Sequence, residues 1–316
     1  MLKKIVFMGT PHYATTIFEA LLKSDFEVKA LFTQPDKPVG RKQILTPPHI
    51  KQYCLDNDLA FPIFQPKSLR NNSEMALEIK NLKPDFIVVA AYGQILPKEI
   101  LDIAPCINLH ASLLPLYRGA SPIQEALLNN DNFTGVTSML MEEGLDTGDI
   151  LGLHYLKVTP TMEVSEAFET LSHIAAKLTL TTLKTFENIV PKKQNNVLAS
   201  LCKKIKKEDG EIAFTNAQEL YLKYKAYSFW PGIFTQGGLK LKEIELLETT
   251  SRNKEGVILD IGKDYLSIGC LKGAIKVKIL QMPSKKELNA GDFLRGNQTL
   301  KVGSFLIKEL FPEFNI

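Results

Sequence analysis

Residues 3 to 33 read KKIVFMGTPHYATTIFEALLKSDFEVKALFT and contain two apolar runs separated by a helix-like segment. An apolar run of strand length, Ile5 to Gly9, is followed by a helix-like segment, Thr15 to Leu22, and by a second apolar run, Val28 to Thr33. A strand, a crossover helix and a second strand form the repeating unit of a parallel sheet. The stretch therefore predicts an α/β fold.

The same alternation continues through the first half of the chain. Helix-like segments follow at Ile50 to Leu55 and Met75 to Leu82, and another apolar run lies at Phe86 to Ala91. Alternating strands and helices predict a Rossmann-like, open, mainly parallel sheet that is covered on both faces. Glu163 to Asn188 has apolar residues at the spacing of one buried helix face, so we expect a long helix that closes a catalytic domain of residues 1–189.

A smaller second domain is predicted for residues 208–316. The intervening residues 190–207 are rich in lysine and have no clear period, which indicates a basic, extended linker. Beyond it, closely spaced short strands predict a small antiparallel, OB-like β-barrel. The predicted strands are Gly232 to Thr235, Leu239 to Glu245, Gly256 to Ile261, Leu266 to Gly269 and Ala274 to Leu280.

The positive charge lies in the C-terminal third of the chain. Residues 1–201 contain 19 Lys and Arg against 21 Asp and Glu, whereas residues 202–316 contain 19 against 14. The net charge of +3 over 316 residues hides this asymmetry. Such a local excess favours a polyanionic partner such as a nucleic acid, although a solvated lysine-rich surface would give the same count.

The sequence disfavours membrane and exported proteins. The longest apolar runs, Phe86 to Tyr92 and Gly135 to Leu140, are far shorter than the roughly 20 residues that cross a bilayer. The strand-like run at Ile5 follows the N-terminus with no export segment before it. The cysteines at positions 54, 106, 202 and 270 lack metal-ligand spacing and are interpreted as reduced thiols. We expect a soluble, cytoplasmic monomer.

Three predicted strand ends are candidates for ligand contact, because open parallel sheets bind ligands beyond the carboxyl ends of their strands. They are Met8 to Pro11, Ala91 to Gln94 and Asn108 to Ser112. The first disfavours a dinucleotide enzyme, since Pro11 and Ala14 stand where G-x-G-x-x-G requires its second and third glycine. The sequence also lacks the G-x-x-x-x-G-K-[ST] loop of nucleotide hydrolases.

The third strand end carries the candidate chemistry. Period two places Asn108 and His110 on one face of the strand, and the loop from Glu143 onward supplies Asp146 and Asp149. An amide and a protonated imidazole can stabilise the oxyanion that forms when an amine attacks a formyl or acyl carbon, and a carboxylate can hold the imidazole and move protons. A structural histidine, an aspartate that only forms the turn, and a metal site are the alternatives, and no second ligand cluster favours metal.

Two segments together resemble the signature of the folate-dependent formyltransferases. They are Asn108 to Gly119, which reads NLHASLLPLYRG, and Gly144 to Asp149, which reads GLDTGD. The resemblance runs nearly end to end. It implies that Asn108, His110 and Asp146 are the catalytic set, that Asp149 is structural, that 10-formyltetrahydrofolate donates the formyl group, and that no metal is required.

The resemblance also implies the folate contacts. The family's SLLP segment, which contacts the folate, corresponds to Ser112, Leu113, Leu114 and Pro115. The strand end from Ala90 to Pro97 matches a region that helps to form the pterin pocket, and implies contacts from Tyr92, Gly93, Gln94, Ile95 and Leu96.

One loop implies the acceptor. Phe32 to Arg41 resembles the insertion that distinguishes family members acting on methionyl initiator tRNA from the shorter glycinamide ribonucleotide enzymes. It implies that Arg41 and Lys42 contact the acceptor stem, although Gln43 replaces a lysine that often continues this loop. The family's second domain is an OB-like barrel that holds tRNA. Near its start, Trp230 is expected to pack in the core or a hinge, or else to stack on a base.

Other functions stay open at this point. The hydrolase portion of formyltetrahydrofolate dehydrogenase and the sugar-nucleotide formyltransferases share the catalytic core but use other acceptors. A non-catalytic tRNA-binding protein with a decayed core is a third possibility. The basic C-terminal third and the Arg41 loop favour tRNA, and the presence of all three catalytic residue types favours an enzyme.

Overall fold

The computed structural model describes residues 2–40 and 42–313 of the chain. It divides into two compact units. Unit 1 comprises the described residues up to Ile123, together with Asn132–Val158 and Glu166–Lys204. Unit 2 comprises Gln124–Asp131, Thr159–Ser165 and the described residues from Ile205 onward.

Unit 1 is built on strands and helices that alternate along the chain. Its strands are β1 (Lys3–Gly9), β2 (Phe26–Phe32), β3 (Lys37–Val39), β4 (Ile44–Thr46), β5 (Ile63–Phe64), β6 (Phe86–Ala90), β7 (Cys106–His110), β8 (Arg118–Gly119), β9 (Phe133–Leu140), β10 (Ile150–Lys157) and β11 (Leu201–Cys202). Its helices are α1 (His12–Leu22), α2 (His49–Asp56), α3 (Ser73–Asn81) and α4 (Lys98–Leu101). Two more helices, α5 (Pro122–Leu128) and α6 (Val164–Thr185), contribute residues to both units.

The main sheet of unit 1 has the strand order β10-β9-β7-β6-β1-β2-β5 within the described residues. The five strands from β7 to β5 are parallel, and β9 and β10 extend the sheet in antiparallel fashion. The prediction of a Rossmann-like, mainly parallel sheet is confirmed. The order of the strands reverses between β1 and β6, which is where sheets of this type bind ligands.

The apolar runs of the sequence fill the core of this sheet. Ile5, Val6, Phe7 and Met8 in β1 are all inaccessible to solvent. Helix α1 turns one apolar face onto them, with the rings of Phe7 and Phe18 centred 5.2 Å apart. Burial of both faces of β1 explains why its sequence is continuously apolar instead of alternating.

Unit 2 carries an antiparallel sheet. Its elements are α7 (Ala217–Tyr227), β12 (Ile233–Phe234), β13 (Lys240–Glu248), β14 (Ile258–Ile261), β15 (Leu266–Gly269), β16 (Ala274–Gln281), β17 (Glu287–Asn289), α8 (Ala290–Arg295) and α9 (Leu306–Leu310). The strands follow the order β12-β13-β16-β15-β14, and β17 pairs with β16. The predicted second, antiparallel β unit is thus present, with α7 as a helix that the sequence analysis did not predict.

Residues 190–204, most of the predicted basic, extended linker, make backbone contacts with unit 1. Lys192 and Ile150 exchange two backbone hydrogen bonds of 2.8 and 2.9 Å, and β11 pairs in parallel with β8. The segment therefore lies along unit 1. The segment shows no regular spacing of apolar residues because its partners, Ile150 and β8, lie far away in the sequence and pair with only a few of its residues.

Among the helices of the described chain, none combines the length and the apolar character needed to cross a membrane.

Candidate active site

Asn108 and His110 lie at the carboxyl end of β7, between β6 and β9. Asn108 is paired with Val89 of β6 and Met139 of β9. The strand is further held by Tyr13 of α1, whose hydroxyl donates to the carbonyl oxygen of Leu109 at 3.2 Å. Burial raises the pKa of the Tyr13 phenol well above its usual value, so the hydroxyl stays protonated and remains a donor.

The carboxylate of Asp146 joins the two side chains of β7. Its Oδ1 accepts a hydrogen bond of 3.2 Å from Nδ2 of Asn108, and its Oδ2 lies 3.7 Å from Nδ1 of His110. The same Oδ2 accepts a hydrogen bond of 2.9 Å from the backbone N–H of Gly119. The structure therefore brings together all three residues of the expected catalytic set.

The contacts of His110 fix which ring nitrogen carries the proton. Its Nε2 lies 2.9 Å from the carbonyl oxygen of Tyr117. A carbonyl oxygen can only accept, so Nε2 is the donor in both the neutral and the charged ring. Nδ1 is then the nitrogen that faces Asp146. The side chain of His110 is only 6% exposed, so the ring is largely shielded from bulk water.

The backbone of the loop after β9 explains why Asp146, and not Asp149, reaches the cluster. Asp146 has a left-handed backbone with φ of 52°, which turns its side chain toward β7. Asp149 continues the sheet, since its carbonyl oxygen accepts the backbone N–H of Leu140 at 2.9 Å. Between them, a Cβ atom on Gly148 would collide with the carbonyl oxygen of Leu140, so this position excludes larger residues.

Ser112 to Pro115 form a buried turn beyond β7. The hydroxyl of Ser112 donates to the carbonyl oxygen of Leu116 at 2.6 Å. The carbonyl oxygen of Ser112 accepts from the Thr137 hydroxyl at 2.7 Å. Leu114 is buried, while Leu113 and Pro115 are half-buried. Of the four expected folate contacts, these two have side-chain surface that a ligand could reach.

The segment from Tyr92 to Leu96 divides between the core and the surface. Tyr92 and Leu96 belong to the apolar core of unit 1. Gln94 binds the neighbouring loop through Pro66 and Leu69 at 2.8 and 2.9 Å, whereas Ile95 is 64% exposed. Gly93, with φ of 79°, is exposed beside it. Among these expected folate contacts, Gly93 and Ile95 are therefore the most accessible, Gln94 is half-buried, and Tyr92 and Leu96 are buried.

An open cavity of about 540 Å³ is lined in part by residues that follow this segment along the chain. One wall comes from α4 and the residue after it, and the other comes from the loop that leads to Asp146. The lining residues are Lys98, Leu101, Asp102, Met141, Glu142, Glu143 and Gly144. Glu143 and Gly144 belong to the loop already singled out in the sequence, whereas the α4 side of the lining carries no motif that would predict it.

The loop expected to contact tRNA is a two-stranded hairpin of β3 and β4. Lys42 is exposed in its turn, and Arg41 lies outside the described residues. Three apolar side chains of the hairpin, Val39, Ile44 and Leu45, are each more than half exposed. At its base, Lys51 forms an ion pair of 2.9 Å with Asp36, whose pKa is lowered by hydrogen bonds from Gln65 and Lys51.

Trp230, which was expected to pack in the core or a hinge or else to stack on a base, does not lie in the core of unit 2. Its side chain is half exposed, and the neighbouring Phe229 is 84% exposed. The turn that carries them is closed by the backbone N–H of Gly232, which donates to the carbonyl oxygen of Tyr227 at 2.9 Å. No group of three metal-ligating side chains was found in the part of the chain that the structure describes.

The chain is similar to known proteins in both of its parts. Residues 3–183 match the profile of a family described as formyl transferase. The chain belongs to this family. Residues 204–298 also match the C-terminal domain described for formyl transferases. Both parts of the formyl transferase architecture are therefore present in one chain.

Relatives within the formyl transferase family are similar along nearly the whole chain. A methionyl-tRNA formyltransferase of Nitratiruptor sp. is 57% identical over 95% of this chain and 98% of its own length. A solved N-formyltransferase of Helicobacter canadensis, in complex with folinic acid and dTDP-3-aminofucose, shares the fold with a TM-score of 0.65 at 19% identity, over 88% of this chain and 99% of its own. HypX of Aquifex aeolicus in complex with tetrahydrofolic acid gives a TM-score of 0.65 at 16% identity, over 96% of this chain and 48% of its own.

We predict that His110 never populates the neutral tautomer with its proton on Nδ1. Long-range correlation of ring protons with ¹⁵N should show a protonated Nε2 at every pH at which the protein is folded. His154 is the matched control, because its Nδ1 lies 3.0 Å from a carbonyl oxygen and should carry the proton instead. A neutral His110 ring with the proton on Nδ1 would contradict the geometry.

Proposed function

We propose that this chain transfers the formyl group of 10-formyltetrahydrofolate to the α-amino group of methionyl initiator tRNA, giving N-formylmethionyl-tRNA for translation initiation. The observation that carries the proposal is the 57% identity with a methionyl-tRNA formyltransferase over 95% of this chain. The cluster of Asn108, His110 and Asp146 supplies the groups that such a reaction needs.

The proposed mechanism begins with attack of the methionine α-amine on the formyl carbon. A new C–N bond forms, and the formyl oxygen gains negative charge. Nδ2 of Asn108 and protonated Nδ1 of His110 stabilise that charge as hydrogen-bond donors. The C–N bond to the folate then breaks, and the nitrogen that leaves takes up the proton that the amine loses.

Asp146 has two tasks in this mechanism. Its Oδ2 lies 3.7 Å from Nδ1 of His110 and keeps the ring oriented. The carboxylate also receives the proton of the attacking amine and passes it to the leaving nitrogen of the folate. The Gly119 N–H, which donates to Oδ2, limits the number of orientations that the carboxylate can adopt.

The cavity beside the Asp146 loop is the proposed binding site for the folate. Its lining combines the apolar Leu101 and Met141 with charged groups, which suits a flat heterocycle with polar edges. Ile95, Leu113 and Pro115 offer further apolar surface near the strand ends. In this proposal Ser112, Leu114, Tyr92, Gln94 and Leu96 act mainly through the backbone or by supporting the accessible residues.

The hairpin of β3 and β4 and the aromatic turn of unit 2 are the proposed contacts for tRNA. Lys42 is exposed in the turn of the hairpin, where a cation can reach phosphates, and Arg41 precedes it in the sequence. Phe229 and Trp230 present ring faces on which unpaired bases can stack. Since one chain supplies all three catalytic side chains, we infer that the working unit is a monomer, located in the cytoplasm where translation begins.

An acceptor assay tests this function. Purified protein and labelled 10-formyltetrahydrofolate are offered charged initiator tRNA, charged elongator methionine tRNA, a dTDP-amino sugar, or water alone. We expect rapid transfer to the initiator tRNA only. Transfer to the sugar, or release of formate at the same rate without an acceptor, would assign the chain to one of the alternative functions.

We expect Asn108→Ala to lower turnover by about 100- to 1000-fold, because one oxyanion donor is lost. The exposed Asn57→Ala, which removes an amide at the end of α2, should leave turnover unchanged and serves as the matched control. Melting temperature and folate affinity are measured in parallel. Near-normal turnover of folded Asn108→Ala protein would refute the role of this amide.

We predict that Phe229→Ala and Trp230→Ala each weaken binding of initiator tRNA by about 1–3 kcal/mol, the usual contribution of one stacked base. The matched control is Tyr155→Ala, which removes an aromatic ring that is 60% exposed on β10 of unit 1. Dissociation constants from filter binding at several salt concentrations provide the readout. Unchanged affinity in both variants would exclude the aromatic turn as an RNA contact.

A further inference from the structure

The side-chain amide of Gln194 is fully hydrogen-bonded beside the Asp146 loop. Its Nε2 donates to the carbonyl oxygen of Asp146 and to that of Gly148, both at 2.8 Å. Its Oε1 accepts from Nε and Nη2 of Arg118 at 3.0 and 2.8 Å. A glutamine amide offers two protons and two lone pairs, so all four are in use. Substitution of this side chain cannot preserve both sets of contacts.

The loop that Gln194 binds has a backbone that needs support. Asp146 adopts a positive φ, which costs a residue other than glycine about 1 kcal/mol or more. The carbonyl oxygens of Asp146 and Gly148 both accept from Nε2 of Gln194, and these two hydrogen bonds hold the turn. Because the Asp146 carboxylate is only one bond from its Cβ, a shift of this backbone moves the carboxylate by nearly the same amount.

Arg118 anchors the amide from the other side. The guanidinium is buried, and its Nη2 also donates to Oδ1 of Asn196 at 2.8 Å. The next residue, Gly119, donates its N–H to the Asp146 carboxylate. One short strand, β8, therefore controls Asp146 at both ends: directly at its carboxylate, and through Gln194 at its carbonyl oxygen.

From this geometry we propose that Gln194 is a positioning residue, which holds the Asp146 carboxylate at the distance from Asn108 and His110 that catalysis requires. The inference rests on the role proposed above for Asp146. Gln194 lies in the stretch that the sequence suggested was a linker, and it touches none of the three catalytic side chains. Its effect on the reaction passes through the backbone of the loop.

Gln194→Glu tests the proposal with a nearly isosteric change. The carboxylate keeps the acceptor for Arg118 but has no proton to donate, and it sets negative charge against two carbonyl oxygens. We expect kcat to fall on the order of 10- to 100-fold, the cost of a small misplacement of a reacting group, with KM for tRNA unchanged. The matched control is Asn196→Asp, which sets a carboxylate on the same guanidinium away from the loop and should keep the wild-type kcat.

A double-mutant cycle separates positioning from a general structural role. If Gln194 acts through Asp146, adding Gln194→Glu to Asp146→Asn should cause little further loss of kcat. The inference would be overturned if the double variant lost kcat by the product of the two single losses. A wild-type kcat in Gln194→Glu alone would also overturn it. Should Gln194→Glu not fold, Gln194→Asn, which withdraws the amide by one methylene, takes its place with the same expectations. Wild-type protein that fails to formylate initiator tRNA would instead refute the proposed function.

Discussion

The carboxylate of Asp146 is the contact on which the candidate site depends. One oxygen accepts from the Asn108 amide, and the other faces the His110 ring and accepts the Gly119 N–H. The three partners come from β7 and β8, and Asp146 comes from a loop after β9. A single carboxylate thus joins three separate stretches of chain. Without it, the amide and the imidazole on β7 would share a face but would lack a common partner.

The doubly wound sheet explains why these groups meet where a substrate can reach them. β7 lies beside β6, one strand from the point where the strand order reverses. The carboxyl ends of such strands open into a crevice, whereas their lengths are buried on both faces. His110 sits at the last position of β7, so the sheet holds its backbone while its ring contacts Asp146 and the carbonyl oxygen of Tyr117. The sheet supplies rigidity, and the loops supply the chemical groups.

The sequence predicted the parts of the fold that depend on local pattern. The apolar runs of β1, β2 and β6 and the spacing of Asn108 and His110 follow from period and burial, and the structure agrees with them. It could not predict the role of Gln194, because that role depends on Arg118, 76 residues away, and on Asp146, 48 residues away. Helix α7 was missed for a similar reason: its buried face includes Tyr224, Tyr227 and Lys225, which do not produce an apolar stripe. The exposure of Trp230 is equally a property of the folded turn, and residue type alone suggested burial.

We propose that Asn108, His110 and Asp146 surround one formyl carbon. A crystal structure with a stable 10-formyl folate analogue would locate that carbon. We expect the formyl oxygen within hydrogen-bonding distance, about 3 Å, of Nδ2 of Asn108 and Nδ1 of His110, with the heterocycle in the cavity beside the Asp146 loop. An analogue bound with its formyl group directed away from these nitrogens, or bound at another part of the sheet, would contradict it.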